Sequence, residues 1–160
     1  MKKYFLFFAV IFSLVSCQED VSFNNPSLQG LKDNVFWRAV QSNAIKYPDG
    51  SLLIEAYTRN EILSLKVNAT IAQTYLLGTS DSKKVTYVVT DVTGGLITFS
   101  TGFGVGDGQI VITEYDAVNN TVTGTFKFNA ENTYNNPLAG PVLNFQQGFF
   151  YKVPVSSFVQ

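Results

Sequence analysis

The chain has 160 residues, 46% of them hydrophobic, a length and composition that suit one globular domain with its own core. Its formal net charge is −1 and it has no basic run, which excludes an electrostatic surface for nucleic acid. It contains no histidine and one cysteine, which excludes Ser-His and Cys-His triads, zinc hydrolase sites and an intramolecular disulfide.

Residues 1–16 predict an export signal peptide. A short basic start precedes an apolar run over residues 4–15, and Ser16 stands directly before Cys17. The run is shorter than the roughly twenty residues that a membrane-spanning helix needs, and no basic stop-transfer cluster follows it. The pattern therefore favours a cleaved signal over a transmembrane segment.

The segment LVSC at residues 14–17 resembles the lipobox of bacterial lipoproteins, in which the signal is cut before a cysteine that carries a diacylglycerol. The resemblance implies that Cys17 is the lipidated first residue of the mature protein and its link to the outer membrane. Residues 18–20 (QED) resemble the surface-export signal of Bacteroidota lipoproteins, although a plain solvated tether explains them equally well. Residues 17–33 predict a lipidated N-terminus and flexible tether, placing the domain on the periplasmic face or the cell surface.

Residues 34–160 predict an all-β domain, because short apolar or alternating runs are separated by turn residues. The first strand is predicted at residues 35–41. The clearest is at residues 121–130 (TVTGTFKFNA), where apolar and polar side chains alternate. About eight or nine strands with short connections favour a single antiparallel meander that forms a barrel-like sandwich, lipocalin-like or related.

Two groups of residues first suggest ligand chemistry but fit turns better. The glycine-rich segment 102–108 precedes a predicted strand rather than a helix, so we interpret it as a hairpin connection and not as a phosphate loop. Asp107, Asp116, Asn119 and Asn120 lack the spacing of a calcium loop and are typical of turns. The sequence predicts no metal site and no cofactor.

Glu55, Glu61 and Glu114 lie on or beside predicted strands and offer the carboxylates of a glycoside hydrolase. The sequence does not place any two of them at the required separation, and we therefore expect a protein without enzymatic activity.

Five aromatic residues are candidate ligand contacts, with core packing as the alternative for most of them. They are Trp37, Tyr57, Tyr75, Tyr87 and Phe103.

The C-terminal third carries the segments GTFKFNA at residues 124–130, GFF at residues 148–150 and VP at residues 153–154. This pattern resembles a family of secreted Bacteroidota lipoproteins known as domain of unknown function 6252, in which a GTF-F-A strand pairs with a G-F--VP strand. The resemblance implies location and fold, and it implies no activity and no site residues.

A lipid-tethered all-β domain without obvious catalytic groups favours a binding module for a small apolar ligand or a glycan. A structural or accessory envelope protein with a protein partner is the alternative, and a hydrolase is a third possibility. The expected partners are the membrane, through the lipid on Cys17, and one of these ligands, but no nucleic acid.

Overall fold

A computed structural model describes residues 27–158 of the chain. It contains eleven strands, which are β1 (Ser27–Lys32), β2 (Val35–Arg38), β3 (Gln41–Lys46), β4 (Leu52–Tyr57), β5 (Glu61–Val67), β6 (Gln73–Leu77), β7 (Lys84–Thr90), β8 (Leu96–Ser100), β9 (Asp107–Asp116), β10 (Thr121–Asn132) and β11 (Val142–Ser157). Within residues 27–158, no helix is long and apolar enough to span a membrane.

All eleven strands belong to one sheet that closes on itself. Seven of them form a ring in the order β11-β3-β4-β5-β7-β8-β10, and β10 pairs again with β11. The β1–β2 hairpin extends the sheet beyond β11, and β9 and β6 extend it beyond β10. The predicted all-β, barrel-like fold is therefore confirmed, although the structure has more strands than the predicted eight or nine and joins β11 to β3 in parallel.

One additional strand lies in the predicted tether. The sequence assigns residues 27–33 to the tether, whereas Ser27–Lys32 form β1 and pair with β11. The inward positions of β1 include Gly30, where a β-carbon would lie 2.7 Å from the ring of Phe145. Because that ring fills the space of the missing side chain, β1 lacks the apolar alternation that marks a strand in a sequence.

A second additional strand comes from a change of partner inside the predicted strand at residues 35–41. The Ala39 N–H donates to the carbonyl of Leu28 on β1, and the next N–H, of Val40, donates to the carbonyl of Tyr57 on β4. The chain therefore leaves one neighbour and joins another between β2 and β3. The predicted strand reaches only Gln41 of β3, because the inward positions of β3 hold the small side chains of Ser42 and Ala44, which give no apolar alternation.

The core is an aromatic cluster between β10 and β11, extended by the aliphatic side chains of β4, β5 and β7. Phe126, Phe128 and Phe145 stack or tilt against one another with ring centroids 5.3–6.2 Å apart. Trp37 packs edge-on against Phe145 at 5.4 Å. The β1–β2 hairpin thus contributes a core side chain, and the domain is incomplete without it.

Candidate functional site: polar clefts beside the glycine-rich loop

The glycine-rich loop lies at a fork in the sheet. Along one edge, β10 pairs with β9 up to Asn129 and then with β8 at Glu131 and Asn132, while β11 occupies its other edge. The loop joins the end of β8 to the start of β9 where β10 exchanges one partner for the other. The predicted hairpin connection is therefore wrong, because β8 and β9 do not pair with each other.

Hydrogen bonds from both sides fix this loop. The Phe103 N–H donates to Asp81 Oδ1 at 3.0 Å, and the Gly106 N–H donates to Glu131 Oε1 at 3.2 Å. Gly106 has a φ of 63°, and a β-carbon there would collide with the carbonyl oxygen of Asn129. The loop is thereby held close to β10, and the ring of Phe103 stays 74% exposed.

The fork contains an open polar cleft of about 320 Å³, which we call the first cleft. Carboxylate, ammonium, hydroxyl and amide groups line it together with Phe103. Its lining residues are Asp81, Lys84, Ser100, Thr101, Gly102, Phe103, Val105, Glu131, Asn132, Thr133 and Asn135. Its volume lies at the lower end of the range of small-ligand pockets, which is roughly 300–1,000 Å³.

Some of these polar groups support the cleft, and others face solvent with bonding capacity left. The side chain of Asn132 is buried and holds the following loop. Its amide N–H groups donate to the carbonyls of Asn136 and Gly140, and its oxygen accepts from the Asn136 N–H. The hydroxyls of Ser100 and Thr133 lie 3.0 Å apart. Within the described residues, the Lys84 ammonium group donates to no other side chain. The cleft can therefore offer donors and acceptors to a ligand without breaking its own framework.

A second, smaller cleft of about 190 Å³ lies on the same side of β10. Asn129 forms its centre, because its side chain donates to Asp107 Oδ1 at 2.9 Å and accepts from the Asn144 amide at 2.6 Å. Lys127 and Gln146 also line this second cleft. The lining is again a mixture of amide, ammonium and carboxylate groups.

A polar cluster of different character lies inside the ring, where the β1–β2 hairpin meets β5 and β7. Lys32 forms an ion pair with Glu61 Oε1, and the Trp37 indole N–H donates to Glu61 Oε2 at 2.6 Å. Lys32 also donates to the Tyr87 hydroxyl at 3.0 Å, and Thr58 donates to Glu61. These bonds fasten the hairpin to the ring.

Burial opposes ionisation of Glu61, but the hydrogen bonds from Lys32, Tyr87 and Trp37 and the charge of Lys32 outweigh it and lower the pKa of Glu61. Burial, followed by the neighbouring Glu61 carboxylate, raises the pKa of Tyr87. The cluster therefore holds an ionised, fully bonded carboxylate, an arrangement suited to stabilising the fold.

The structure separates the five aromatic candidates. Trp37, Tyr75 and Tyr87 are core residues, and the rings of Trp37 and Tyr87 lie 6.4 Å apart. Tyr57 is half-buried on the outer side of β4 and donates to Glu55 at 2.7 Å; burial and this carboxylate raise its pKa to about 12. Phe103 lines the first cleft.

Cys17, the predicted lipidation site, lies outside the described residues.

The three glutamates named from the sequence are not brought together. Glu55 and Glu61 lie on opposite faces of the sheet, since Glu55 alternates with buried residues of β4 whereas Glu61 points into the ring. Glu114 is exposed on β9.

Residues 27–158 contain no group of three or more acidic or sulfur side chains that could hold a metal ion. Asp116 accepts from the N–H groups of Val118 and Asn119, as a turn residue does.

Sequence reasoning missed the polar residues of the first cleft, above all Asp81, Lys84, Glu131 and Thr133. They come from two distant stretches, residues 81–84 and 131–133, that the sequence marks only as polar loops and strand ends. Their meeting depends on the pairing of β8 with β10, which covers just two residue pairs, Glu131 with Ser100 and Asn132 with Phe99. No pattern of residue spacing in the sequence predicts such a contact.

Comparison with known proteins identifies the family. A family model described as a domain of unknown function, DUF6252, matches residues 24–154. The chain belongs to this family. The match covers ten strands completely and most of β11, so the fork and both clefts lie within the DUF6252 domain. No curated protein and no solved structure matches the chain.

Proposed function

We propose that this DUF6252 protein is a lipoprotein of the bacterial outer envelope, as in the Bacteroidota, and that its β domain binds a glycan without modifying it. The observation that carries the binding proposal is the first cleft, where the exposed Phe103 ring stands beside hydroxyl, amide, ammonium and carboxylate groups. Sugars present hydroxyl groups that both donate and accept, together with apolar ring faces that stack on aromatic side chains.

A glycan suits the molecule better than an apolar ligand does. The side chains that point into the ring, including Phe126, Phe128 and Phe145, are buried against one another. The two clefts, in contrast, open to solvent and are lined mainly by polar groups. An apolar ligand would leave those groups without hydrogen-bond partners.

The test measures binding of the chain from Gln18 onward to an array of neutral and charged oligosaccharides, with palmitate as the apolar probe. We expect a glycan to bind and the Phe103→Ala variant to bind it about tenfold more weakly, because the stacking surface is lost. Phe36→Ala is the matched control, since Phe36 is also exposed, at 62%, but lies on β2. Binding of palmitate alone, or of no member of the array, would refute the proposal.

A second candidate function is an accessory envelope protein that binds another protein. It is favoured by β2, an edge strand of the sheet on which Val35 and Phe36 are both exposed. Exposed edge strands pair readily with another chain. In this case Phe36→Ala, and not Phe103→Ala, would abolish capture of the partner from solubilised envelopes.

A further inference from the structure

The two clefts lie in a row along β10. Successive side chains of a strand point to opposite faces, so Lys127, Asn129 and Glu131 share the outer side of β10, away from the buried phenylalanines. Lys127 and Asn129 line the second cleft, and Glu131 lines the first together with Thr133, which follows the strand. At about 3.3 Å per residue, the row from Lys127 to Glu131 is roughly 13 Å long.

The boundary between the clefts is a glycine backbone. Val105 lines the first cleft and Asp107 lines the second, so the chain passes from one to the other at Gly106. The Gly106 backbone packs against β10, since a β-carbon there would collide with the carbonyl oxygen of Asn129, and its N–H donates to Glu131. On the outer face of β10, however, Asn129 of the second cleft and Glu131 of the first are neighbouring outward positions, about 7 Å apart along the strand. A ligand that lies extended along this face would therefore reach both clefts.

Each cleft contains side chains of both charge signs, which favours a neutral ligand over a polyion. Each cleft has one lysine, Lys84 or Lys127, and each has carboxylates, Asp81 and Glu131 in the first and Asp107 in the second. A polyanion would meet the carboxylates, and a polycation would meet the lysines. Amides line both clefts, and hydroxyls also line the first, and these groups suit a chain of uncharged hydroxyls.

We propose that the two clefts are consecutive subsites of one groove along β10, and that this groove binds an extended neutral oligosaccharide. The inference rests on the proposed glycan-binding function and adds the shape and charge of the ligand. It also explains the size of the second cleft, which at about 190 Å³ is smaller than an ordinary small-ligand pocket but large enough for part of a longer chain.

The experiment uses linear homo-oligosaccharides of glucose, xylose, mannose and galactose, from single sugars to hexamers, with the chain from Gln18 onward. Affinity should rise with length until the oligomer spans both clefts. Lys127→Ala should weaken binding of the long oligomers about three- to tenfold and leave the shortest binders unchanged. Lys84→Ala should weaken both, and Lys66→Ala, an exposed lysine of β5 outside the clefts, should change neither.

The outcomes separate the two proposals. An affinity that does not depend on oligomer length would refute the continuous groove. So would a Lys127→Ala variant that binds the long oligomers as tightly as the wild type does. Neither outcome would contradict glycan binding at the first cleft. Binding of charged oligosaccharides in preference to this neutral series would refute the inferred ligand class. Absence of binding to every glycan tested would refute the proposed function itself.

Discussion

Phe126 on β10 lies directly opposite Gly148 on β11, and its ring occupies the space that a β-carbon at residue 148 would need. Such a β-carbon would lie 2.5–2.6 Å from three ring atoms. The reciprocal pair lies two residues earlier on β10, where Gly124 is opposite Phe150 and is covered by its ring. These crossed pairs fix the register between the two longest strands, at the segments GTF of β10 and GFF of β11.

Gly148→Ala should therefore destabilise the domain. Phe126 is buried in the aromatic cluster and has no free space to move into, so the added methyl group overpacks the core at a cost of about 1–3 kcal/mol. Urea unfolding followed by tyrosine and tryptophan fluorescence measures the change. Gly140→Ala is the control, because its β-carbon would meet no atom closer than 4.0 Å. Equal losses in both variants would contradict the role assigned to Phe126.

A comparison of β10 with β1 shows why the sequence predicts much of the fold but not all of it. The apolar alternation of residues 121–130 identified β10 directly, because every second side chain enters the core. In β1 the inward position at Gly30 holds no side chain, so apolar alternation does not identify this strand. Ring closure rests on short ladders such as β3 with β11, whose three residue pairs are set by sheet geometry rather than by a local pattern.

Glu61→Gln should also destabilise the protein, for a different reason. The substitution keeps the shape but removes the charge, leaving the partly buried Lys32 ammonium group without its ion-pair partner and weakening the bond from Trp37. We expect a loss of about 2 kcal/mol in the free energy of unfolding. Glu114→Gln is the control, since Glu114 is exposed on β9 and bonds to no described side chain. A loss equal to that of the control would mean that the cluster does not fasten the hairpin.

The contribution of Glu61 should depend on pH in a defined direction. Its folded-state pKa is below the ordinary value of 4.5, so its stabilisation is complete above that value and is lost as the pH falls through the folded pKa. The difference in unfolding free energy between the wild type and Glu61→Gln should therefore shrink between about pH 7 and about pH 3. Asp49, Asp91 and Asp116 also have lowered pKa values, through hydrogen bonds in turns, but they cancel in this difference. A difference that stays constant with pH would contradict the assignment.

The candidate site was less predictable than the fold. Phe103 could be named from the sequence because it is an aromatic residue inside a glycine-rich loop, where burial is not expected. Asp81 and Glu131 gave no such signal, because an acidic residue in a polar loop is ordinary until the loop it binds is known. The other aromatic candidates share one property, strong apolar character, and that property serves the core and a binding surface alike.

The predicted lipid anchor on Cys17 does not depend on the clefts. Cys17→Ala removes the thiol that would carry the diacylglycerol, so we expect an unprocessed, unlipidated precursor that no longer fractionates with the outer membrane. Each buried methylene of an acyl chain contributes about 0.8 kcal/mol, so the loss of several chains removes a large membrane affinity, and the sequence has no second cysteine to carry them. Metabolic labelling with an alkyne fatty acid, followed by membrane fractionation, measures both effects. Gln18→Ala is the control, because it alters the neighbouring position and keeps the thiol. A Cys17→Ala protein that remained labelled and sorted to the outer membrane would show that attachment occurs by another route.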